Sequence, residues 1–570
     1  MKNLEIAKIL YEIADMLEIQ GVAFKPRAYQ RAARAIESLS EDIEKIYKRG
    51  ELTSIPGVGE HIAEKISEFL ETGKLKYYDD LKKKMPIKVE ELTGVSGIGP
   101  KRIMTLYKKL GVKNLKDLQK AAEKHKIQKI EGFGEKVEED ILKGIEFAKK
   151  KTGRFLLGYI MPLAEEIKDN IAKLKSVKKV EIAGSYRRRK ETVGDIDILV
   201  TSNKPKDVMD YIIKMQDVDA VLAHGITKSM IKLKNGLEVD VRVLDEKEYG
   251  SALQYFTGNK EHNIALRNIA LKKGYSLSEY GLFKLKGKKW IAGRAEKDIY
   301  QKLGLQYIEP EMRENNGEIE LALKKKLPGL INYGDVKGDL QMHSEWSDGS
   351  NTIEEMASEA KKLGMKFIAI TDHVGQLAIA HPLNKKRLEK QSKIIDKLND
   401  KLNIRIFKGA EVDILKDGKL ALDRKMQDEL DIVLAAVHSG FKMSEGEMTA
   451  RICKALENDR VHIFAHPTGR LLQQREHYAV NFEKLFETAK QNDVFLEINC
   501  YPERMDLNGG LIKSAKESGC KFSIGTDSHN KEHLKYLKLG VSLARRGWLE
   551  ARDVLNTFNA KMIERVLRRK

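Results

Sequence analysis

The stretch that decides the fold is Gly184-Ser-Tyr-Arg-Arg-Arg-Lys-Glu-Thr-Val-Gly-Asp195-Ile-Asp197-Ile-Leu-Val200. Its second half alternates acidic and apolar residues before an apolar run, which predicts a buried strand. Residues i and i+2 of a strand point to the same face, so Asp195 and Asp197 would present two carboxylates side by side. Such carboxylates repel each other unless a divalent cation lies between them. The stretch therefore predicts a metal-dependent site on a sheet.

A third carboxylate is available from a second predicted strand, residues 237–243, in which Asp240 alternates with valines. Short apolar runs at residues 180–183, 196–201 and 230–233 predict that a sheet begins after about residue 151. Three carboxylates can bind two metal ions, which activate a hydroxyl group and stabilise a leaving pyrophosphate. Solvated strand aspartates without metal are the alternative interpretation, and the Gly-Ser and arginine elements upstream argue against it.

Length and composition set the broad class of the protein. The chain has 570 residues, of which 41% are hydrophobic and 33% charged. These values are typical of folded protein with about three to five domains and exclude collagen-like and broadly disordered chains. No apolar run is long enough to span a membrane, and the first residues read as a charged amphipathic helix. From this we expect a cytoplasmic protein with no membrane partner, and the three cysteines, which have no paired spacing, fit a reducing compartment.

Charge and histidine are distributed unevenly along the chain. Lys and Arg outnumber Asp and Glu by 64 to 50 in residues 1–330, and by 40 to 35 in residues 331–570. A basic surplus favours a polyanionic partner such as nucleic acid, because each neutralised phosphate releases counterions. A thermophile-like surface rich in Lys and Glu would also give a surplus, and charge alone does not separate the two. Nine of the 13 histidines lie in the last 240 residues, which indicates metal chemistry there.

A glycine pattern recurs in the basic N-terminal region, where apolar spacing over residues 4–50 predicts several short helices. The pattern hydrophobic-x-Gly-hydrophobic-Gly precedes an amphipathic helix at Gly57 and Gly59, at Gly97 and Gly99, and more loosely at Gly132 and Gly134. Glycines permit a tight turn whose backbone N–H groups face a phosphate at a helix N-terminus. One such turn is usually only a turn, but the repeat is the helix-hairpin-helix pattern of proteins that bind the DNA backbone.

The C-terminal part alternates between strands and helices. Seven apolar strands are predicted near residues 338–342, 367–371, 404–408, 432–437, 461–465, 494–498 and 521–525. Such an alternation predicts an α/β barrel. Histidines and carboxylates follow the strands, as in Asp339-Leu-Gln341-Met-His343, Thr371-Asp-His373, Gly409-Ala-Glu411-Val-Asp413, Val437-His438, Ala465-His466, Glu497-Ile-Asn499 and Thr526-Asp527-Ser-His529. Because the carboxyl ends of barrel strands meet at one mouth, metal binding is predicted there. His381, His462, His477 and His533 lie outside these motifs and are interpreted as structural or surface residues.

Residues 1 to about 315 resemble the family X DNA polymerases, in the layout of DNA polymerase beta. The motif Gly-Ser-x-x-Arg-x5-Gly-Asp-x-Asp matches over residues 184–197, and the nucleotide signature matches at Tyr255-Phe256-Thr-Gly258. The resemblance implies addition of dNTPs to gapped or primer-template DNA with Mg²⁺ or Mn²⁺. The catalytic, metal-binding residues that it implies are Asp195, Asp197 and Asp240. It also implies that Ser185, Arg188 and Gly194 bind the triphosphate and that Gly258 belongs to the nucleotide-binding signature. Tyr255 and Phe256 are implied to border the sugar, Asn263 to contact the base and Arg267 to contact the template.

The same resemblance places Lys65 at the Schiff-base position of the family's lyase domain. This chemistry needs a lysine whose amine can attack a sugar aldehyde. The family has a phosphate-binding lysine where this chain has His61. A solvated lysine without catalytic function is the alternative interpretation.

The last part of the chain resembles the polymerase and histidinol phosphatase domain, or PHP domain. The resemblance implies up to three Zn²⁺ or Mn²⁺ ions and hydrolysis of DNA phosphoesters, as a 3′-to-5′ exonuclease, with hydrolysis at abasic sites as an additional activity. The ligands that it implies are His343, Asp348, His373, Glu411, His438, His466, Asp527 and His529. The family's first ligand is Gln341 here, and glutamine binds transition metals poorly, so one metal position is expected to be weak, altered or empty. The backbone is expected to bend into a loop at Asp527 so that both this residue and His529 bind.

Together these patterns predict a multidomain α+β chain with helical helix-hairpin-helix N-terminal domains, a nucleotidyltransferase palm built on a mixed sheet and a distorted (β/α)7 barrel. The predicted domains are a lyase-like domain at 1–82, a second helix-hairpin-helix domain at 83–150, the palm at 151–250, a thumb-like domain at 251–315, a linker at 316–335 and the PHP domain at 336–570. We expect a monomeric DNA repair polymerase that fills short gaps and trims ends. A catalytically inactive, stabilising barrel is the main alternative, and a small-molecule phosphatase is a third.

Overall fold

A computed structural model describes residues 2–37, 43–55, 57–85, 87–93, 95, 98–135, 137–138, 141–142, 145, 153–375 and 381–568. Backbone contacts group the chain into two units, residues 1–152 with 473–476, and residues 153–472 with 477–570. Within the described ranges, no helix has the length and apolar character needed to cross a membrane. The boundaries of the six predicted segments remain predictions.

The first unit is built from helices. They are α1 (Lys2–Ile19), α2 (Lys25–Glu37), α3 (Ile43–Lys48), α4 (Glu60–Thr72), α5 (Lys76–Lys84), α6 (Val89–Thr93), α7 (Pro100–Leu110) and α8 (Leu115–Glu123). The repeated glycine turns set where α4 and α7 begin, and Gly73 and Gly111 end these helices at φ values of 68° and 66°, which glycine adopts without strain. One apolar cluster joins the unit from Ile6 to Ile145. The helices are as predicted, except that α1 is longer than the short helices expected.

The palm follows as a mixed sheet with helices. Its elements are β1 (Phe155–Leu156), α9 (Leu157–Ala172), β2 (Val177–Ile182), α10 (Gly184–Arg187), β3 (Thr192–Val193), β4 (Asp195–Ser202), α11 (Pro205–Ile212), β5 (Val218–His224), β6 (Lys228–Leu233) and β7 (Glu238–Leu244). The five long strands have the order β2-β4-β7-β6-β5, in which only the β4–β7 pair is parallel. Strand β5 was not predicted, because it lies at the sheet edge and exposes most of its side chains.

Residues 249–323 contain more strand than the sequence indicated. The elements are α12 (Tyr249–Thr257), α13 (Lys260–Lys272), β8 (Tyr275–Ser278), β9 (Gly281–Lys284), β10 (Trp290–Ala292), α14 (Glu296–Lys302) and α15 (Glu318–Leu323). A mixed helix and turn pattern was expected from residue 264, but β8, β9 and β10 form a small antiparallel sheet. These strands were not predicted because they are short and lysines lie between them, so the sequence shows little alternation of apolar and polar residues. The predicted linker, residues 316–335, carries α15 and the fully buried Ile331.

The C-terminal part is a nearly closed parallel barrel, which confirms the predicted fold. Its strands are β11 (Gly338–Met342), β12 (Phe367–Ile370), β13 (His373–Val374), β14 (Arg405–Asp413), β15 (Ile432–Ala436), β16 (Ile463–Phe464), β17 (Phe495–Asn499) and β18 (Phe522–Gly525). Its helices are α16 (Ile353–Lys362), α17 (Lys385–Lys401), α18 (Arg424–Asp428), α19 (Glu445–Leu456), α20 (Phe482–Gln491), α21 (Gly509–Glu517), α22 (Leu537–Arg546) and α23 (Ala560–Leu567). The seven predicted strands are all present, and the two-residue β13 is an addition beside β14.

The barrel closes at the carboxyl end of its first strand and shares a core with the palm. The Asp527 N–H donates to the Gln341 carbonyl at 3.0 Å, and the His343 N–H donates to the Ser528 carbonyl at 2.7 Å. One apolar cluster runs from Leu157 through the palm sheet and into the barrel as far as Val554. The palm and the barrel are therefore joined by packed side chains as well as by the chain itself.

Candidate active sites

The palm strands bring the three predicted carboxylates to one end of the sheet. Asp195 and Asp197 lie two residues apart on β4, and Asp240 on β7 is the direct neighbour of Asp197 in the parallel pair. Helix α10 begins against the same place, since a Cβ added to Gly184 would stand 2.6 Å from the Asp197 carboxylate. Only glycine leaves room for this carboxylate beside the helix, which explains the Gly-Ser element upstream.

The electrostatics of this site fit divalent cations. Burial, followed by repulsion from Asp195 and Asp240, raises the pKa of Asp197 to about 7. Asp240 pairs through Oδ2 with Arg242 at 3.1 Å and with Lys228 at 3.3 Å. Its Oδ1 atom is buried and has no hydrogen-bond partner among the described residues. Clustered carboxylates with an unsatisfied oxygen are the ligand type that Mg²⁺ and Mn²⁺ prefer.

Helix α10 and the loop after it carry the predicted triphosphate-binding residues. Arg188 donates through Nη1 to the Thr257 carbonyl, and the same nitrogen would lie 3.2 Å from a Cβ at Gly258. Its Nε atom is buried without a hydrogen-bond partner in the described part of the chain, 3.6 Å from the Glu314 carboxylate. Ser185 lies on α10 and Gly194 immediately before β4. A buried guanidinium with a donor to spare is suited to bind a phosphate oxygen.

The predicted nucleotide signature lies at the end of α12 and on α13. The rings of Tyr255 and Phe256 meet edge to face at 5.2 Å, and the Arg242 guanidinium lies over Phe256 at 4.6 Å. Asn263 accepts from Gln254 at 2.7 Å and donates to the Tyr255 carbonyl at 2.7 Å. The Asn263 side chain keeps a second amide hydrogen and a second oxygen lone pair with which it can contact a base. Arg267 is exposed on α13, as a residue that contacts template DNA must be.

A buried network behind this site was missed by the sequence analysis. The Glu296 carboxylate binds Arg187 at 2.8 Å, accepts from Arg313 and accepts from Tyr307 at 2.8 Å. Although burial alone would raise the pKa of Glu296, the two arginines lower it to about 2. These contacts join α10 of the palm to α14 and the segment after it. Removal of one partner would leave a buried charge uncompensated.

The glycines that precede α4 and α7 share one backbone geometry. Gly59 and Gly99 are the N-caps of α4 and α7, with φ and ψ of −84° and 173° and of −84° and 170°. A Cβ at either glycine would meet nothing within 4 Å, so the turn is open to an approaching phosphate. Gly57 has a φ of 83°, which requires glycine. Gly97 lies outside the described residues, and its predicted role is untested.

Lys65 is on α4, one turn after the first glycine hairpin. Its Nζ atom donates to the His61 carbonyl at 3.0 Å and lies 4.9 Å from the centre of the Tyr77 ring. Tyr77 in turn stacks on Tyr29 at 6.4 Å. The predicted lysine therefore lies against a small aromatic surface, and its lyase role stays a prediction.

The barrel mouth brings seven of the eight predicted ligands into three groups, which we call groups one to three. Within each group the ligating atoms lie within 4.8 Å of one another. Group one is His343, Asp348, His373 and His529; group two is His373, Glu411 and His438; group three is His343, Glu411 and Asp527. The eighth, His466, lies with its Nε2 atom 2.8 Å from Glu411 Oε1. Mixed imidazole and carboxylate donors suit Zn²⁺ and Mn²⁺ better than Mg²⁺.

Glu411 belongs to both group two and group three of the barrel site. Its carboxylate lies 3.3 Å from His343 Nε2 and 3.1 Å from His438 Nε2. Although burial alone would raise the pKa of Glu411, the imidazoles around it hold that pKa well below its usual range. Burial lowers the pKa of His373 to about 4, which favours the neutral form that binds metal. The Asp413 carboxylate lies 2.7 Å from His438 Nδ1 and so orients that imidazole.

The backbone at Asp527 and the side chain of Gln341 were both singled out in the sequence analysis. Strand β18 ends at Gly525 and Asp527 has a φ of 54°, so the backbone does bend into a loop where this was expected. Gln341 donates through Nε2 to Glu411 at 3.1 Å, and its Oε1 atom is buried without a hydrogen-bond partner among the described residues. Arg504, which the sequence analysis did not single out, lies 3.3 Å from Asp527.

Comparison with protein families matches most of the chain in five segments. A helix-hairpin-helix domain matches residues 1–75, and a SAM-like helix-hairpin-helix tandem matches residues 89–146. The DNA polymerase beta palm matches residues 160–251, and the DNA polymerase beta thumb matches residues 252–314. The PHP domain matches residues 339–500.

Curated relatives agree with these matches. The DNA polymerase/3'-5' exonuclease PolX of Bacillus subtilis is 38% identical over 573 residues, which covers 100% of both chains. DNA polymerase lambda of Rattus norvegicus is 27% identical over 342 residues, or 55% of this chain and 56% of that protein. A probable phosphatase of Syntrophotalea carbinolica is 33% identical over 166 residues, or 28% of this chain and 64% of that protein. Full-length similarity of this kind, with palm, thumb, helix-hairpin-helix and PHP segments in one sequence, means that the chain belongs to the PolX family, the family X DNA polymerases with a C-terminal PHP domain.

Proposed function

We propose that this chain is a DNA repair polymerase that adds dNTPs to a primer 3′-OH at short gaps and that its PHP domain removes nucleotides from DNA 3′ ends. The observation that carries the proposal is the presence of two separate metal-type sites in one chain, the palm carboxylates and the barrel groups. The full-length relative named as a DNA polymerase/3'-5' exonuclease supports the same pair of activities. Gapped and primer-template DNA and dNTPs are the substrates, and a cytoplasmic monomer stays a prediction.

In the palm, Asp195, Asp197 and Asp240 would bind two Mg²⁺ or Mn²⁺ ions. The ions supply activation of the 3′-hydroxyl and stabilisation of the leaving pyrophosphate. The chain itself supplies the orientation of the substrates. Arg188, Ser185 and Gly194 bind the triphosphate in this proposal. The edge-to-face pair of Tyr255 and Phe256 would border the sugar.

In the barrel, an active phosphoesterase is favoured over a stabilising scaffold. Eight of the nine ligand positions of the PHP family carry a metal-binding residue, and seven of the eight converge in three groups. A scaffold would gain nothing from burying so many ionisable groups, since each one costs free energy without its metal. Zn²⁺ or Mn²⁺ would act as a Lewis acid towards the phosphoester. Hydrolysis at abasic sites is a second activity of the same barrel in this proposal.

The direct test uses the full chain on two DNA substrates. With dNTPs and Mg²⁺ or Mn²⁺, a gapped duplex should be extended by the length of its gap. Without dNTPs, a labelled single strand should be shortened from its 3′ end in Mn²⁺. Extension without any shortening would favour the inactive barrel, and hydrolysis of small phosphomonoesters without extension would favour a phosphatase.

For Lys65 we expect covalent trapping by borohydride on DNA with a 5′-deoxyribose phosphate end. A Schiff base is reduced to a stable adduct, so the wild-type chain should appear as a band joined to DNA. Lys65→Ala should give no adduct, and Lys74→Ala, an exposed lysine of the same unit, should be trapped like the wild type. Equal trapping of the Lys65 variant would exclude the lyase assignment.

For Gln341 we expect that histidine restores a stronger metal position. The side chain lies against Glu411, at the edge of group three. Imidazole is a better ligand than a neutral amide for Zn²⁺ and Mn²⁺, so Gln341→His should retain more metal per chain after dialysis. Elemental analysis measures this content, with Gln341→Ala as the control that should match the wild type. Equal metal content in all three proteins would show that position 341 does not limit binding.

A further inference from the structure

The palm loop of residues 188–191 contacts the PHP domain at both ends. Arg546, the last residue of α22, donates through Nη1 to the Arg188 carbonyl at 2.8 Å. Arg470, which follows β16, pairs with Glu191 at 3.6 Å. Two arginines of the barrel therefore contact the loop that carries the proposed triphosphate-binding arginine.

Arg546 also connects to the Arg188 side chain through a shared carboxylate. Glu314 Oε1 lies 3.2 Å from Arg546 Nη1 and 3.6 Å from Arg188 Nε, while Glu314 Oε2 lies 3.6 Å from Lys190 Nζ. The Arg546 side chain is only 7% exposed. The Gly509 backbone packs closely on it, because a Cβ at Gly509 would stand 2.8 Å from Arg546 Cβ. The guanidinium therefore has little freedom to move away from the loop.

We propose that Arg546 is a positioning residue for the polymerase site. It supports the Arg188 backbone directly and the Arg188 guanidinium through Glu314, in the geometry that binds the triphosphate of an incoming nucleotide. This inference rests on the proposed polymerase function. Because a donor that is held in place loses less entropy on binding, a loosened Arg188 would weaken nucleotide binding more than the later chemical step.

Arg545, the neighbour of Arg546, provides a control for substitutions that only weaken the attachment of the barrel. Arg545 is also nearly buried, binds Glu311 at 2.7 Å and donates to the Ile331 carbonyl at 2.9 Å. Among the described contacts, it reaches neither Arg188 nor Glu314. Arg545→Gln should therefore weaken the attachment of the barrel while the contacts of Arg546 with the Arg188 carbonyl and with Glu314 stay in place.

The experiment measures single-nucleotide insertion into gapped DNA by the full-length chain. Arg546→Gln should raise the KM for dNTP about tenfold while kcat changes by less than about threefold. Arg546→Lys should show a smaller rise, because its ammonium can still donate to the Arg188 carbonyl. Arg545→Gln should lower the unfolding temperature and leave the KM unchanged. Exonuclease activity should stay at the wild-type level in Arg546→Gln.

The KM for dNTP tests the positioning role of Arg546. A KM of Arg546→Gln within about twofold of the wild type, or an equal KM rise in Arg545→Gln, overturns the proposal. If Arg546→Gln does not fold, Arg546→Lys is compared instead: a higher KM at an unchanged unfolding temperature supports positioning, and an unchanged KM overturns it. A wild-type chain that inserts no nucleotide would contradict the proposed polymerase function instead.

Discussion

Asp240→Ala should reduce template-directed dNTP addition by on the order of a thousandfold, or about 4 kcal/mol of transition-state stabilisation. Asp240 neighbours Asp197 on the parallel strand, so its loss removes one of three carboxylates that balance two divalent cations. It also frees Arg242 and Lys228, whose charges then repel an ion in the remaining site. The measurement is single-turnover extension on gapped DNA at saturating Mg²⁺.

Asp245→Ala is the matched control, because Asp245 follows β7 and pairs with the exposed Lys247 at 3.7 Å. It should extend DNA at the wild-type rate. The Asp240 variant should still bind gapped DNA in a gel-shift assay and should still shorten 3′ ends, because the palm and barrel sites share no residue. Near-normal extension by the Asp240 variant would remove this residue from the active site.

His438→Ala should abolish 3′-end shortening, with a loss on the order of a hundredfold or more, while dNTP addition continues at the wild-type rate. His438 belongs to group two, and the Asp413 carboxylate orients its imidazole. Its removal leaves Glu411 with one ligand partner fewer in the centre of the mouth. Asp527→Asn should have a similar effect through group three, and asparagine tolerates the φ of 54° at that position.

Two readouts make this prediction specific. Elemental analysis should find less Mn²⁺ or Zn²⁺ in both variants, independently of any assay with DNA. His477→Ala, which changes an exposed histidine of the same barrel outside the three groups, should keep both its metal and its nuclease activity. Full exonuclease activity in both ligand variants would mean that the barrel is a scaffold and that the shortening arises elsewhere.

Much of the fold could be predicted because its patterns are local. The strand bearing Asp195 and Asp197 alternates over a few residues, and six of the seven predicted barrel strands are apolar runs followed by a predicted ligand. The glycine turns are equally local, because Gly59 and Gly99 act within one turn of chain. Patterns of this length can be recognised in the sequence without knowledge of the tertiary structure.

The contacts that were missed depend on residues far apart in sequence. Glu296 meets Arg187 across 109 positions, and Arg546 meets the Arg188 carbonyl across 358. No spacing rule indicates such pairs, and from the sequence alone each arginine is predicted to be an exposed surface residue. Strand β5 was missed for a different reason, since an exposed edge strand carries no burial pattern. The grouping of the barrel ligands around Glu411 likewise becomes visible only in three dimensions.

The continuous core between palm and barrel has a consequence for how this protein can change over time. The two parts bury apolar side chains in one cluster, so neither surface is suited to water without the other. A barrel produced without the palm would expose an apolar face, and so would a palm produced without the barrel. Substitutions that destabilise the barrel are therefore expected to shorten the folded lifetime of the palm as well. A substitution in either part is then selected for its effect on the stability of both.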